Sequence, residues 1–440
     1  MSQMLERLFY SKMGQSLLSA MGMKPAPEVN RYNGEIPWAC GTIALAEPPS
    51  SELAHVLDLC DSKFEVLKEN ERYNSLLIDA SGYKTVEDLN GLKRFFQMAM
   101  PAMNRSAHIA ILGLNPETSG SVEQASVMTA LNGFTRSLAK ELGRKGITAN
   151  VLYLDSKADG NLCVPLMYFL SNRATYVTGQ PIYIGTHENT VESHSWEQPL
   201  KGKIALVTGA AQGIGAAIAE TLARDGATII GLDIPPAKET LEKTLAPLNG
   251  ICVATDITSD EATADIEKAL AGRNLDILVH NAGVTRDKTL SKMPDHFWDM
   301  TLNINLTAPL KITQQLEQNH SLSHEARVIC ISSISGLAGN VGQTNYSASK
   351  SGVAGYVREQ AKKWNGSGKT INAIAPGFIE TQMTDQIPFM TREMGRRMNS
   401  LSQGGKPQDV AEGVALFAQP GSGALNGQVL RVCGQSLIGA

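Results

Sequence analysis

The sequence predicts an α/β protein made of two consecutive doubly wound parallel sheets, and three observations carry that expectation. Apolar, strand-like runs alternate with helical patterns in both halves of the chain. A polar stretch without apolar periodicity, 186–199 (Thr-His-Glu-Asn-Thr-Val-Glu-Ser-His-Ser-Trp-Glu-Gln-Pro), interrupts the alternation near the middle. The second half also repeats pieces of the first in the same order. At 440 residues the chain is long for one domain. It divides into residues 1–185, a linker at 186–199, and residues 200–440.

In the first half, a Pro-rich connector (Pro25 to Pro37) leads to strands predicted at Thr42–Ala46, Leu76–Ala80, His108–Leu114 and Thr148–Leu154. Helices are predicted between them at Glu52–Leu67, Val86–Met100 and Val122–Leu142. The alternation restarts at Lys201 and is more regular. Strands are expected at Ile204–Val207, Thr228–Leu232, Leu275–Val279, Arg327–Ile331, Thr370–Ile374 and Gln428–Val432, with a helix at Ala216–Asp225 after the first. In such sheets the loops at the C-terminal strand ends bear the function.

A shift of 222 positions lays Leu131–Asn150 on Val353–Asn372 without a gap, with identity at Gly133, Arg136, Ala139, Lys140, Gly146, Thr148 and Asn150. Gly41-Thr-Ile-Ala-Leu-Ala matches Gly202-Lys-Ile-Ala-Leu-Val, and Thr178-Gly-Gln-Pro-Ile matches Asn426-Gly-Gln-Val-Leu. Three matches in one order argue for duplication, so both halves are expected to share a fold.

Composition narrows the function. Apolar content of 42% and charged content of 19% are globular, and a formal charge of -4 gives no reason to expect nucleic acid or an anionic membrane as partner. No apolar run approaches the ~18 residues of a membrane span. Met1 to Met23 is weakly amphipathic, with Arg7 and Lys12 against Glu6, and reads as a docking helix rather than a targeting segment. The six cysteines lie far apart in sequence, with no Cys-x-x-Cys and no His cluster at ligand spacing; reduced thiols of a cytoplasmic protein without a metal site are expected.

Gly209, Gly213 and Gly215 follow a strand and open a helix, where a backbone free of side chains admits a pyrophosphate to the helix N-terminus. Asp233, at the next strand end, can accept from both hydroxyls of a ribose or be an ordinary loop carboxylate. Gln212 stands where an Arg would hold a 2'-phosphate, and the two together favour NAD(H) over NADP(H). Tyr346 and Lys350 share a helix face, and Ser333 lies thirteen positions earlier at a strand end. A neighbouring ammonium lowers a phenol pKa, which is expected to make Tyr346 a usable acid.

Thr208-Gly-x-x-x-Gly-Ile-Gly215, Asn281-Ala-Gly283, Ser333, Tyr346-x-x-x-Lys350 and Pro376-Gly377, in one order at these spacings, resemble the short-chain dehydrogenase/reductase family over the whole second half. Val284-Thr-Arg-Asp287 and Pro376-Gly-Phe-Ile-Glu-Thr381 resemble its β-ketoacyl-[acyl-carrier-protein] reductases, and the extra half resembles their high-molecular-weight, two-domain subclass. The resemblance implies two Rossmann-like domains. It also implies roles: Ser333 holding a substrate carbonyl, Tyr346 donating the proton, Lys350 on the nicotinamide ribose, and Asn305 holding a relay water, with Asn303 competing for that place. For the cofactor it implies Gly209, Gln212, Gly213, Ile214, Gly215, Asp233, Asp256, Ile257, Asn281, Ala282, Gly283, Pro376, Gly377 and the backbone near Ile379. His280 replaces the family's usual Asn and reads as structural.

The expected activity is NADH-dependent reduction of a β-ketoacyl thioester, carried by acyl carrier protein or coenzyme A. Alternatives are another alcohol or carbonyl substrate on the same machinery, or a non-enzymatic NAD-binding module. Met293, Met300, Met383, Met390, Met394 and Met398 fall in two segments that would flank a substrate mouth or fill core. Arg392, Arg396 and Arg397 would meet carrier phosphates or form a solvated helix face. In the first half the shifts put Gln124 and Met128 at the Tyr346 and Lys350 positions, and Pro48, Glu52 and Ala54 at the glycines, so that half is read as cofactor-free. A homodimer is expected, through helices equivalent to Val122–Leu142 and Ser347–Trp364.

Overall fold

The computed structural model describes residues 26–34, 38–39, 41–60, 62–155, 159–187, 194–385 and 388–437; the proposed docking helix, Cys40 and the middle of the linker lie outside them. The first half forms a six-stranded parallel sheet from β1 (Ile43–Leu45), β2 (Phe64–Val66), β3 (Tyr73–Asp79), β4 (Met103–Leu114), β5 (Thr148–Leu154) and β6 (Pro181–Ile184). Its order is β2-β1-β3-β4-β5-β6.

The second half forms a seven-stranded parallel sheet from β7 (Ile204–Thr208), β8 (Thr228–Asp233), β9 (Ile251–Ala254), β10 (Leu275–His280), β11 (Leu322–Ile331), β12 (Thr370–Pro376) and β13 (Val429–Val432). Its order is β13-β12-β11-β10-β7-β8-β9. The first sheet is therefore the second without the edge strand β9. Among the described residues no helix is long and apolar enough to cross a membrane.

The two halves repeat one hydrogen-bond pattern. Asn150 on β5 donates to Val177 O (2.9 Å) and accepts from Gln180 N (3.1 Å). Asn372 on β12 donates to Leu425 O (2.7 Å) and accepts from Gln428 N (2.9 Å). Both asparagines are buried and satisfy the turn that leads into the last strand of their sheet.

One expectation needs correction. The helix expected over Glu52–Leu67 ends at Leu59, and Phe64–Val66 joins the sheet edge instead. Cys60 is extended, and Phe64-Glu-Val, an aromatic and a β-branched residue at period two, gains a ladder with β1 that a helix would forgo. The linker also does more than span. Trp196 stacks edge-on with Trp38 (centroids 5.0 Å apart) and accepts its indole N–H on the carbonyl oxygen (3.1 Å), inside an apolar cluster that continues from one half into the other. Val164 and Leu166 of the first half share that cluster with Val410 and Leu416 of the second.

The cysteines, remote in sequence, are not all remote in space. Cys60 and Cys163 are buried with their sulfurs 3.2 Å apart, and the contact pushes the Cys60 thiol up. All five described cysteines are free.

Candidate active site

The catalytic candidates gather at the C-terminal ends of β7, β10, β11 and β12. At the end of β7, Thr208 Oγ1 accepts from the backbone N–H of Asn281 and of Ala282 (both 3.0 Å), while Asn281 Nδ2 donates to Thr208 O and Gly209 O (3.0 and 3.1 Å). These bonds lock the glycine loop to the Asn281–Gly283 turn. A side chain at Gly215 would collide with the Gly209 carbonyl and with Asn281. Gly213, at φ +63°, has open space where its Cβ would be and starts a twelve-residue helix, Gly213–Arg224, with Gln212 exposed at the cap. Ile214 is half-buried against the core shared by both halves.

Asp233 closes β8 with one carboxylate oxygen on Ala211 N (3.0 Å) and the other on Ile234 N (2.9 Å), which fixes it beside the glycine loop. Asp256 turns its carboxylate onto Thr258 (N 2.8 Å, Oγ1 2.7 Å) and so shapes its own turn, with Ile257 buried next to it. On the other side, Gly377 N donates to Val432 O (2.9 Å), and a Cβ there would lie 2.6 Å from Cys433 Cβ. Pro376 pairs with Val432 at the sheet end, and Ile379 is buried in a bridge with Gly405.

Ser333 caps the short helix Ile334–Ala338, its Oγ accepting from Ser335 N (3.1 Å). Tyr346 stands in the first turn of the helix Thr344–Lys363. Asn345 fixes that turn: its Nδ2 reaches Arg286 O, Phe297 O and Thr301 Oγ1 at 3.0 to 3.2 Å, and its Oδ1 accepts from Tyr346 N (2.8 Å). Lys350, one turn on, is buried and donates to Ile331 O (2.7 Å), with its ammonium 5.8 Å from the Tyr346 ring centroid.

The structure separates the two competing asparagines. A π-helical segment, Asn303–Thr307, turns Asn305 inward and leaves Asn303 exposed. Asn305 accepts from Val284 N (2.8 Å) and donates to Val284 O (3.0 Å) and Ser349 Oγ (3.1 Å). A Cβ on Gly283 would lie 3.1 Å from Asn305 Oδ1 and 3.3 Å from Lys350 Nζ, so a larger residue there would press on both side chains.

The expected electrostatics of Tyr346 are corrected. Burial pushes its phenol up; the Ser333 hydroxyl pulls it down by hydrogen bonding, and the Asp287 carboxylate adds to the rise. Lys350, the expected depressor, is itself pulled down to about 8 by burial. His280 accepts its structural reading: it contacts Thr313 Oγ1 (2.8 Å), and burial pulls it down to about 3.

Acids of their own segment hold the three arginines. Arg396 grips Glu380 with two bonds (2.6 and 2.9 Å), Arg397 bonds Glu393 (2.6 Å), and Arg392 is buried facing Asp385 (3.3 Å). Met390 and Met394 are exposed, Met300 is at the margin of exposure, and Met293 and Met398 are half-buried; the side chain of Met383 lies outside the described residues. Sequence reasoning missed Asn345 and Ser349 as the residues that hold Tyr346 and Asn305. Their position beside Tyr346-x-x-x-Lys350 was the available signal.

Among the described residues no group of three or more acidic, His or Cys side chains is placed to hold a metal.

A family model described as enoyl-(acyl carrier protein) reductase matches residues 209–434. The 3-oxoacyl-[acyl-carrier-protein] reductase of Thermotoga maritima is 38% identical over 247 residues, covering 54% of this chain and 99% of the relative. The Escherichia coli enzyme of that name is 36% identical over 237 residues (53% and 97%), and nodulation protein G of Rhizobium sp. is 38% identical over 238 residues (53% and 97%).

Proposed function

Because the chain belongs to the short-chain dehydrogenase/reductase family, we propose that it is a nicotinamide-dependent reductase of 3-oxoacyl thioesters. The observation that carries this is the convergence of Ser333, Tyr346, Lys350 and Asn305 beside an open glycine loop in the second half. The residues fit such a cofactor. The helix N-terminus at Gly213–Gly215 would offer its N–H groups to an anion, with open space where a Cβ on Gly213 would be, and a buried ammonium, Lys350, has one backbone acceptor and donors to spare. The glycine loop would hold the pyrophosphate, Asp233 the adenosine ribose, Asp256 and Ile257 the adenine. Asn281, Ala282, Gly283, Pro376, Gly377 and Ile379 would frame the nicotinamide, with Lys350 on its ribose.

When bound, the dihydronicotinamide supplies a hydride to the substrate carbonyl carbon. The chain's own residues manage the oxygen. Ser333 Oγ donates a hydrogen bond that polarises the carbonyl, and Tyr346 gives up the phenolic proton as negative charge develops there. A phenol raised by burial is protonated at neutral pH, the state a donor requires. Lys350 and the Asn305 network on Val284 and Ser349 hold the helix turn in place while the proton leaves.

The reading extends to NADH as reductant, since a carboxylate at Asp233 would repel a 2'-phosphate. It also includes a homodimer in a reducing, cytoplasmic compartment. The helices Val122–Leu142 and Thr344–Lys363 both expose small residues, among them Gly133 and Gly355 with open space at the Cβ, and such faces let helices approach closely.

Steady-state kinetics with acetoacetyl-CoA and with a carrier-protein-bound acetoacetyl group, each with NADH and NADPH, test the reading. Tyr346→Phe is expected to bind the cofactor normally and to lose about 10²- to 10⁴-fold in kcat. Near-wild-type turnover in that variant would sink the mechanism, and a clear NADPH preference would overturn the role given to Asp233.

A further inference from the structure

Beyond Pro376 the chain leaves the catalytic sheet, forms the helices Gln382–Asp385 and Phe389–Arg397, and returns through Asn399–Gly405. Return and departure are tied together: Gly405 N donates to Phe378 O (3.0 Å) and Gly405 O accepts from Glu380 N (2.8 Å), on either side of Ile379.

The first half meets the catalytic half at this return. Tyr176 is 1% exposed. Its hydroxyl donates to Gln403 O (2.8 Å) and accepts from Asn399 Nδ2 (3.2 Å). Its ring lies so close to Gly405 that a Cβ there would be 2.5 Å from Cε1, and its carbonyl accepts from Gly434 N (2.9 Å). Gln403 Nε2 donates to Pro27 O (2.8 Å). At the end of Val122–Leu142, Gly143 abuts the Ser400 backbone so closely that a Cβ would overlap its carbonyl.

We propose that the cofactor-free half is the fixed wall of the substrate loop, and that Tyr176 is a positioning residue setting affinity for the acyl group. The proposal rests on the proposed function, and on reading the helix Phe389–Arg397, which exposes Met390 and Met394, with its return Asn399–Gly405 as the cover of the acyl group. A segment held at its return loses less conformational freedom when ligand orders it, so the gain appears in substrate binding.

The two parts of Tyr176 separate two effects. The ring supports Gly405, and through it Ile379 beside the cofactor. The hydroxyl holds Gln403 and Asn399, and Asn399 Nδ2 also bonds Arg396 O (2.9 Å) in the last turn of the helix bearing Met390 and Met394. Removing only the hydroxyl therefore frees the loop and leaves the cofactor side supported.

In the full-length protein, Tyr176→Phe is expected to raise KM for acetoacetyl-CoA about five- to tenfold, the loss of one to two neutral hydrogen bonds. NADH affinity and kcat should stay near wild type, and tryptic cleavage at Arg392, Arg396 and Arg397 should quicken by a similar factor. Gly143→Ala, which pushes the Ser400 backbone from the first half, is expected to move KM and cleavage in the same direction, and decides the matter if Tyr176→Phe does not fold. Unchanged KM and unchanged cleavage in a folded variant overturn the proposal, and so does a loss confined to kcat or to NADH binding. A wild type inactive on every 3-oxoacyl thioester, with cleavage still quickened in the variants, would remove the proposed function and leave the anchoring supported.

Discussion

Arg173 of the first half and Asp225 of the second form a two-pronged ion pair (2.9 and 3.0 Å) with both side chains at most 2% exposed. Arg173 also reaches Glu412 (3.1 Å), and the rings of Tyr32 and Trp38 lie 4.3 and 4.0 Å from its guanidinium. Arg224 shares both acids. Replacing one member strands the opposite charges away from water, and that costs more than the pair itself contributes. Arg173→Met is therefore expected to destabilise the protein by about 3–5 kcal/mol, read as a lower urea midpoint. A midpoint within experimental error of wild type would show that Arg224 alone neutralises the acids.

Two buried histidines and a third, half-buried one make the fold acid-sensitive. His108, between Thr148 Oγ1 (2.8 Å) and Asn172 Oδ1 (3.1 Å), and His194, against Trp38 and Trp196, are pulled down to about 4 by burial, and His280 to about 3. Below the ordinary value near 6.5 the unfolded chain binds these protons and the folded chain does not, so stability falls as pH drops from about 6.5 toward 4. The slope is at most about 1.4 kcal/mol per pH unit for each histidine. His280→Asn, which keeps a polar side chain at the strand end, is expected to reduce the three-histidine slope by about a third, measured as Tm or urea midpoint against pH. An unchanged slope would show that His280 titrates normally.

What was legible in the sequence is what local pattern determines. The helix Val122–Leu142 and the strand Thr148–Leu154 stand where periodicity put them, and the glycine loop, Ser333 and Tyr346-x-x-x-Lys350 meet at strand ends because the sheet order brings those ends together. What stayed hidden depends on contacts between distant residues. Phe64–Val66 is too short for its alternation to stand out from a helical pattern, and its strand is settled by the ladder with β1. The choice of Asn305 over Asn303 is made by a π-helical turn with no sequence signature. The phenol of Tyr346 rises rather than falls because burial outweighs charges that spacing alone suggests. Nothing in local pattern announces that Trp196 of the linker would pack on Trp38.

Lys350 gives cofactor binding an alkaline limb. Burial brings its ammonium down to about 8, so above that pH the free protein loses both the charge and a donor from the place where the nicotinamide ribose would be held. A ligand that prefers the charged form retains the proton, so Kd should rise about tenfold per pH unit above about 8 until the complex itself deprotonates. Fluorescence titration with NADH from pH 7 to 9.5 checks this. In Lys350→Met the limb should vanish and binding should be weaker at every pH; a wild-type Kd that does not change across that range would assign the ammonium no part in binding.

The first half should bind no dinucleotide, giving one equivalent per chain. Its helix Ser51–Leu59 has the right place after β1, but Ser50 Oγ already accepts from Leu53 N (3.2 Å), and Pro48, Pro49, Glu47, Glu52 and Asp79 line the crevice where a pyrophosphate would need N–H groups and positive potential. At the catalytic positions, Gln124 is spent on Gly120 N (3.1 Å) and Tyr83 O (3.4 Å), and the Met128 sulfur accepts from Leu114 N (3.1 Å) in a fully buried setting. Calorimetric titration of the intact chain with NADH is expected to saturate at one equivalent. Introducing Gln124→Tyr and Met128→Lys into the Tyr346→Phe protein should restore no turnover, because the missing part is the anion cradle rather than the proton donor. Two equivalents bound, or activity recovered in that triple variant, would show a second working site in the first sheet.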